Sequence, residues 1–172
     1  MQETPIRGPA REAAIPPVPG TYALVLGAAR DARVRIGRLG LLSLRRGCYV
    51  YVGSALGSGG LCGRISHHLR RTAAPRWHID YLKRAAEPVE IWYCTGRTRR
   101  EHDWATILDT LPGCSIALAR FGASDCRCVA HLFRFDARPT FDAFRLLLPP
   151  RLRAQLHCAA VRTVAAPQNA TT

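Results

Sequence analysis

The residues best equipped for chemistry lie between Gly47 and Arg71, in GCYVYVGSALGSGGLCGRISHHLRR. Tyr51 is the second tyrosine of an alternating tyrosine-valine run. Arg64 and His68 follow four residues apart, a spacing that puts two helical side chains on one face. A phenol, a guanidinium and an imidazole would then converge. The guanidinium matches phosphate oxygens in bidentate geometry, and the other two groups can position or relay a proton.

Three elements must hold this set in place. Tyr49 and Tyr51 alternate with Val50 and Val52, which predicts a strand with the tyrosines on one face and the valines on the other. The strand ends at Gly53. Ser54 to Gly60 holds glycines 57, 59 and 60 and serines 54 and 58, a tight connection whose backbone can approach a ligand. A helix should begin near Leu61 and dock Leu61, Ile65 and Leu69 onto a sheet.

Charge points to the partner. The formal net charge is +13, and no acidic residue falls between Asp31 and Asp80, a segment containing Arg33, Arg35, Arg38, Arg45, Arg46, Arg64, Arg70, Arg71 and Arg76. Arg38, Arg45, Arg46, Arg70, Arg71 and Arg76 are the expected nucleic-acid-binding set. A codon bias toward arginine would raise the charge everywhere, but it would not clear acids from one segment.

At 172 residues the chain suits one domain. No apolar run is long enough to span a bilayer, and the start lacks the apolar core of a signal peptide, so a cytoplasmic protein away from membranes is expected. Residues 1–19, with five prolines, read as a disordered tail. Gly20 opens TYALVLGA, a buried strand in which Tyr22, Leu24 and Leu26 alternate with Ala23 and Val25. Arg33 to Gly40 reads as a second strand that makes a hairpin with the first. Gly47 to Gly53 is the third. The expected fold is therefore α+β: a small, mainly antiparallel three-stranded sheet, one face covered and one free, flanked by helices. Further on, Trp77–Leu82 reads as a short helix and Val89–Cys94 as a strand. Glu101–Leu111 reads as a helix burying Trp104, Ala105, Leu108 and Leu111, His131–Phe135 as a strand, and Thr140–Leu148 as a helix stopped by Pro149 and Pro150. Residues 20–148 make the domain, and 149–172 a loosely attached tail.

Gly20-Thr21-Tyr22 and Tyr51-Val52-Gly53, each on a strand and followed by Arg64 and His68 on a helix, resemble the GIY-YIG nuclease superfamily. The fuller pattern GTYALVL, GRLG, GCYVYVGSALGSGGLCGRISHHLR, WHIDYL and FGASDCRCVAHLF resembles its small stand-alone members, the DUF123 or Uri-type endonucleases. The resemblance covers Gly20 to about Phe135. It implies metal-dependent hydrolysis of phosphodiesters in DNA, in repair or processing, and the residues do not distinguish DNA from RNA. It also implies that Tyr22, Tyr51, Arg64 and His68 are catalytic and that Glu101 is the protein's ligand to Mg²⁺ or Mn²⁺. Thr21 stands where the superfamily's name has isoleucine, and no asparagine beyond Glu101 matches the one many members carry.

Such a reaction needs a nucleophilic water, an acceptor for its proton and cations around the phosphate. Tyr22 or Tyr51 could polarise the water, since a neighbouring arginine and a metal ion both favour a phenolate. We assign the water to Tyr22, the scissile phosphate to Tyr51 and Arg64, and tyrosine orientation or a proton relay to His68. Each residue also has an ordinary use: strand tyrosines are commonly half-buried, Arg64 could be a solvated charge, and Glu101 suits a helix's first turn. A nucleic-acid-binding module that keeps the fold without cleaving is the alternative function.

His78 and Asp80 read as a local hydrogen-bonding cluster ahead of DNA contacts. Arg97, Arg99 and Arg100 read as a solvated basic loop near the phosphates. The seven cysteines lack a secretory context and are expected as free thiols or metal ligands. Cys114, Cys126, Cys128 and His131 raise the question of zinc, but one residue between Cys126 and Cys128 is tighter than the usual two to four, so no zinc is expected. A cysteine-based enzyme is disfavoured because no cysteine has an evident base partner.

Overall fold

In β1 (Gly20–Ala28), Tyr22, Leu24 and Leu26 enter one core and Ala23 and Val25 another, as strand alternation requires. The computed structural model describes residues 14–70 and 72–161. After β1 come β2 (Ala32–Ile36), β3 (Gly40–Leu44), β4 (Gly47–Ala55), α1 (Gly60–Leu69), α2 (His78–Leu82) and β5 (Glu87–Thr95). The chain continues through α3 (Glu101–Asp109), β6 (Cys114–Ile116), β7 (Leu132–Phe135), α4 (Phe141–Leu147), α5 (Pro150–Arg153) and β8 (Leu156–Ala160). Six strands form one antiparallel sheet in the order β6-β7-β4-β1-β5-β8, and the fold is α+β.

The expected three-stranded sheet is thus enlarged and differently paired. The second expected strand does not form a hairpin with β1; β2 pairs with β3 in a separate two-stranded ribbon. β1 instead lies between β4 and β5. Short-range alternation identifies a strand but not its partner, and β5 begins only at Glu87, far along the chain from the end of β1 at Ala28. Neither face of the sheet is free. The ribbon, α1 and α2 cover one face with Ile36, Leu42, Leu61, Ile65, Ile79 and Leu82. On the other face Trp104, Ala105 and Leu108 from α3, with Phe144 from α4, pack on Val25, Val50, Val52 and Trp92.

Three further expectations give way. Leu69 ends α1 and is 43% exposed, while His68 takes the buried place beside Leu61 and Ile65. Beyond Leu148, Pro150 starts a helix rather than only ending one, as suits a residue whose missing N–H costs nothing in a first turn. β8 then pairs with β5, so residues 156–160 are a sheet edge, not a loose tail. At the other end, residues 14–19 are docked. The carbonyls of Val18 and Pro16 accept the N–H groups of Leu61 and Cys62 at 2.8 and 3.1 Å, satisfying donors that a helix start leaves open. Residues 1–13 and 162–172 lie outside the described residues. Among the described residues no helix is long and apolar enough to cross a membrane.

A buried charge cluster ties α1 to α2. Asp80 sits in the first turn of α2 and accepts the N–H groups of Arg76 and Trp77 at 3.0 and 3.1 Å, with His67 Nε2 at 3.2 Å. Lys83, the chain's only lysine, is buried 3.3 Å from Asp80 and donates to the carbonyls of His67 and Arg70 at the end of α1. Burial alone would raise the Asp80 carboxyl, but the two backbone donors, then His67 and Lys83, outweigh it and hold it at about 2. The local-cluster reading of Asp80 therefore describes its contacts. Because removing one partner strands a buried charge, Asp80→Asn should destabilise the fold by about 3–5 kcal/mol. The fall in urea midpoint measures this; an unchanged midpoint would show that the pair does not hold the helices.

Candidate active site

Tyr22 faces Gly53 across the β1–β4 ladder. A Cβ at Gly53 would stand 2.5 Å from the Tyr22 hydroxyl, so the glycine lets that phenol lie flat across the neighbouring strand. Gly20 does the same for α1: a Cβ there would meet Leu61 Cδ1 at 2.6 Å and the Cys94 carbonyl at 2.3 Å. The helix can then come down close to β1, and His68 reaches Tyr22, Nε2 to Oη at 2.7 Å. Both residues are 1% exposed.

Their protonation follows from burial. The His68 imidazole is pushed down to about 3 by burial, assisted by the charges of Lys83 and Arg64, so it is neutral. Its Nδ1 is buried without a partner among the described residues. An orphaned N–H is rarer in folded proteins than an orphaned acceptor, so we assign the proton to Nε2, donating to Tyr22 Oη. The Tyr22 proton is then free for the cleft. Burial, then Tyr51, pushes the Tyr22 phenol well above its usual value, more than Arg64 pulls it down. Burial likewise takes Tyr51 to about 12. The expectation that the arginine would favour a phenolate is thus outweighed by desolvation, and both tyrosines are phenols at neutral pH. Tyr49 does different work: its hydroxyl donates to the Arg45 carbonyl and accepts the Arg45 N–H, both at 2.8 Å, closing the turn before β4.

Tyr22, Tyr51, Arg64 and Glu101 line one polar cleft of about 240 Å³, with Ser54, Trp77 and Arg99 among its other walls. Glu101, the first residue of α3, is only 5% exposed because it shares the helix's inward face with Trp104, Ala105 and Leu108. The Ser54 hydroxyl donates to its Oε2, and Arg99 Nη1 lies 3.2 Å from Oε1. Arg64 is braced, its Cζ 4.3 Å from the Trp77 ring centroid. Tyr51 is half-buried, edge-on to His68 at 6.1 Å and to Phe121 at 6.0 Å.

The five residues expected to act together are therefore neighbours. The expected nucleic-acid set is scattered. Arg45 and Arg46 lie just before the opposite end of β4, roughly 20 Å away along the strand, where the Arg45 guanidinium and the Arg46 backbone N–H donate to Asp31. Arg38 is exposed on the β2–β3 turn. Arg70 and Arg76 are exposed around the α1–α2 connection, and Arg71 lies outside the described residues. Sequence reasoning gave Ser54 and Trp77 no part in the site and left Arg99 in a solvated basic loop near the phosphates. Ser54 could have been found from its place beside Gly53, whereas nothing short-range links Arg99 to Glu101's carboxylate rather than to solvent. His78 accepts the N–H of Gly122 at 3.0 Å, a packing role in keeping with the local-cluster reading.

The His68 imidazole has a testable consequence. In the unfolded chain it takes a proton near pH 6.5, and in the folded chain only near 3. Its contribution is complete above about pH 6.5 and is lost as pH falls toward 3, at roughly 1.4 kcal/mol per pH unit. By pH 5 the loss should reach about 2 kcal/mol. Asp80 adds its own loss only below about pH 4. The His68 ring resonances should hold their neutral positions to pH 5; a midpoint near 6.5 would mean that the ring is not sealed.

No curated protein and no solved structure matches this chain. Residues 21–148 match the family described as a domain of unknown function, DUF123. That span includes β1 from Thr21 onward, all of β4, α1 and α3, and every wall of the cleft named above, and the protein belongs to the DUF123 family.

Proposed function

We propose that the protein is a divalent-metal-dependent endonuclease of GIY-YIG type that hydrolyses phosphodiester bonds in DNA. The meeting of Tyr22, Tyr51, Arg64 and Glu101 in one cleft, with His68 bonded behind Tyr22, carries this reading. Oxygen donors suited to a hard cation are present: the Glu101 carboxylate with the Ser54 hydroxyl beside it, and Asp125 on the same cleft. Glu101 would hold Mg²⁺ or Mn²⁺, which when bound neutralises phosphate charge and acidifies water.

The chain's own residues account for the rest. Arg64, held against Trp77, binds a phosphate oxygen without first having to be ordered. Arg99, paired with Glu101 in the free protein, offers a second guanidinium. Tyr51 stands beside the phosphate. Tyr22 directs its O–H into the cleft and orients the attacking water, and when its phenol has first released its own proton to solvent through the cleft, the phenolate oxygen accepts the proton of that water. The His68 Nε2–H favours that ionised form, while burial opposes it. His68 is thus a positioning residue, holding one phenol in one direction.

Glu101→Gln keeps the side chain's shape and removes its charge, and Tyr22→Phe removes one oxygen. Each should lower metal-dependent cleavage of duplex or branched DNA by at least about 10²-fold while leaving affinity within a few-fold. Equal cleavage by wild type and both variants would refute the assignment. Failure of the wild type on every DNA tested with either metal would replace it with a binding module that does not cleave.

Affinity should also fall steeply with salt, with a log–log slope of about −0.9 for each phosphate neutralised on a duplex. Arg64→Ala should make that slope shallower by about one contact. A salt-independent affinity would remove the nucleic-acid reading altogether.

A further inference from the structure

Beside the cleft, and distinct from its oxygen donors, four soft or borderline ligands face one another. His102 on α3, Cys126, Cys128 and His131 have ligand atoms all within 4.8 Å of each other. His102 Nδ1 is 3.2 Å from Cys128 Sγ, and Cys126 Sγ is 3.6 Å from His131 Nε2. Around a tetrahedral zinc with bonds of about 2.0–2.3 Å, such donors stand roughly 3.3–3.8 Å apart. The set is closed by His102, some 25 positions upstream, which the Cys126–Cys128 spacing alone does not reveal. Cys114, one of the four residues considered from sequence, is on β6 and outside the group.

We propose that His102, Cys126, Cys128 and His131 bind a structural zinc ion. Two thiolates and two imidazoles suit zinc and complete a tetrahedron, leaving no position for a substrate. A single Cys–His pair could equally be a nucleophile with its base. Two such pairs converging on one point have no use in that chemistry, whereas four donors around one cation do.

The surrounding chain supplies the need for a staple. Residues 117–131 join β6 to β7 with no helix or strand of their own, about as long as unstructured connections in compact domains become. Only Phe121, Ala123, Ala130 and His131 of this segment are buried, and Arg120 adopts a left-handed φ of 64° while its guanidinium donates to the carbonyls of Ser124 and Cys126. A metal joining Cys126, Cys128 and His131 to His102 would fasten this segment to the first turn of α3. His102 follows Glu101 directly, and its Nε2 is 3.9 Å from Glu101 Oε1. His131 belongs to both the zinc group and the cleft wall. The staple would therefore set one wall of the cleft, whatever reaction that cleft performs.

The test uses the full chain purified without chelators, and DNA cleavage is not a readout. Elemental analysis should find about one zinc per chain. After stripping, added Co²⁺ should give the intense visible bands of a tetrahedral site together with a thiolate-to-cobalt charge-transfer band. Cys126→Ser and His102→Ala should each bind zinc at least about tenfold more weakly, since even outer-shell changes cost that much. Cys158→Ser, on β8, should keep the full complement. Should the ligand variants fail to fold, the wild-type cobalt spectrum decides alone. The proposal is overturned if the wild type carries no zinc and its stripped form takes up neither Zn²⁺ nor Co²⁺, or if the cobalt spectrum lacks the thiolate band.

Discussion

A buried polar group must find a partner, and on β1 that rule organises the molecule. β1 is paired on both edges and covered on both faces, so every side chain from Thr21 to Leu26 is sealed from water. Only Thr21 and Tyr22 among them carry polar atoms. They point to opposite faces, and each is satisfied by a different helical element. Tyr22 bonds His68 at the far end of α1. Thr21 Oγ1 accepts the N–H of Arg100, the residue before α3, at 3.4 Å. Two adjacent residues thus fix the positions of a buried imidazole and of the carboxylate that follows Arg100. The cleft lies where the two helices come together at this end of the strand.

The same rule gives the threonine a physical reason. An isoleucine at position 21 would fill the space but leave the Arg100 N–H to find another acceptor. Gly20 and Gly53 belong to the same arrangement, one admitting Leu61 of α1 and the other the Tyr22 ring. Read together, Gly-Thr-Tyr and Tyr-Val-Gly describe how two adjacent strands and a helix approach more closely than side chains normally permit.

What could be read from the sequence was what neighbours in the chain determine. The alternation of Tyr22, Leu24 and Leu26 with Ala23 and Val25 identified both faces of β1, and the spacing of Arg64 and His68 placed them together on α1. What could not be read depended on distant partners. Nothing in residues 33–40 says that they pair with β3 instead of β1, and nothing in Leu156–Ala160 announces that β5 needs an edge partner. The same limit explains the candidate sites. Arg45 and Arg46 share an acid-free segment with Arg64, yet a strand's length separates them from it. His102 stands next to Glu101 in the chain, but its relation to Cys126 and Cys128 exists only after the 117–131 connection folds back over α3. The expected pull of Arg64 toward a phenolate is outweighed for a different reason: counting neighbouring charges omits desolvation, and here desolvation is the larger effect.

Lys83 is the chain's only lysine, and it is spent inside the fold, tying the end of α1 to Asp80. The positive side-chain charge on the surface above neutral pH is therefore carried by guanidinium groups rather than by amines. The outer electrostatic field of this protein is in effect fixed hardware: alkali that discharges lysine-rich proteins would leave it standing. Amine-directed acylation, which neutralises the surfaces of most basic proteins, would likewise find almost nothing here to modify.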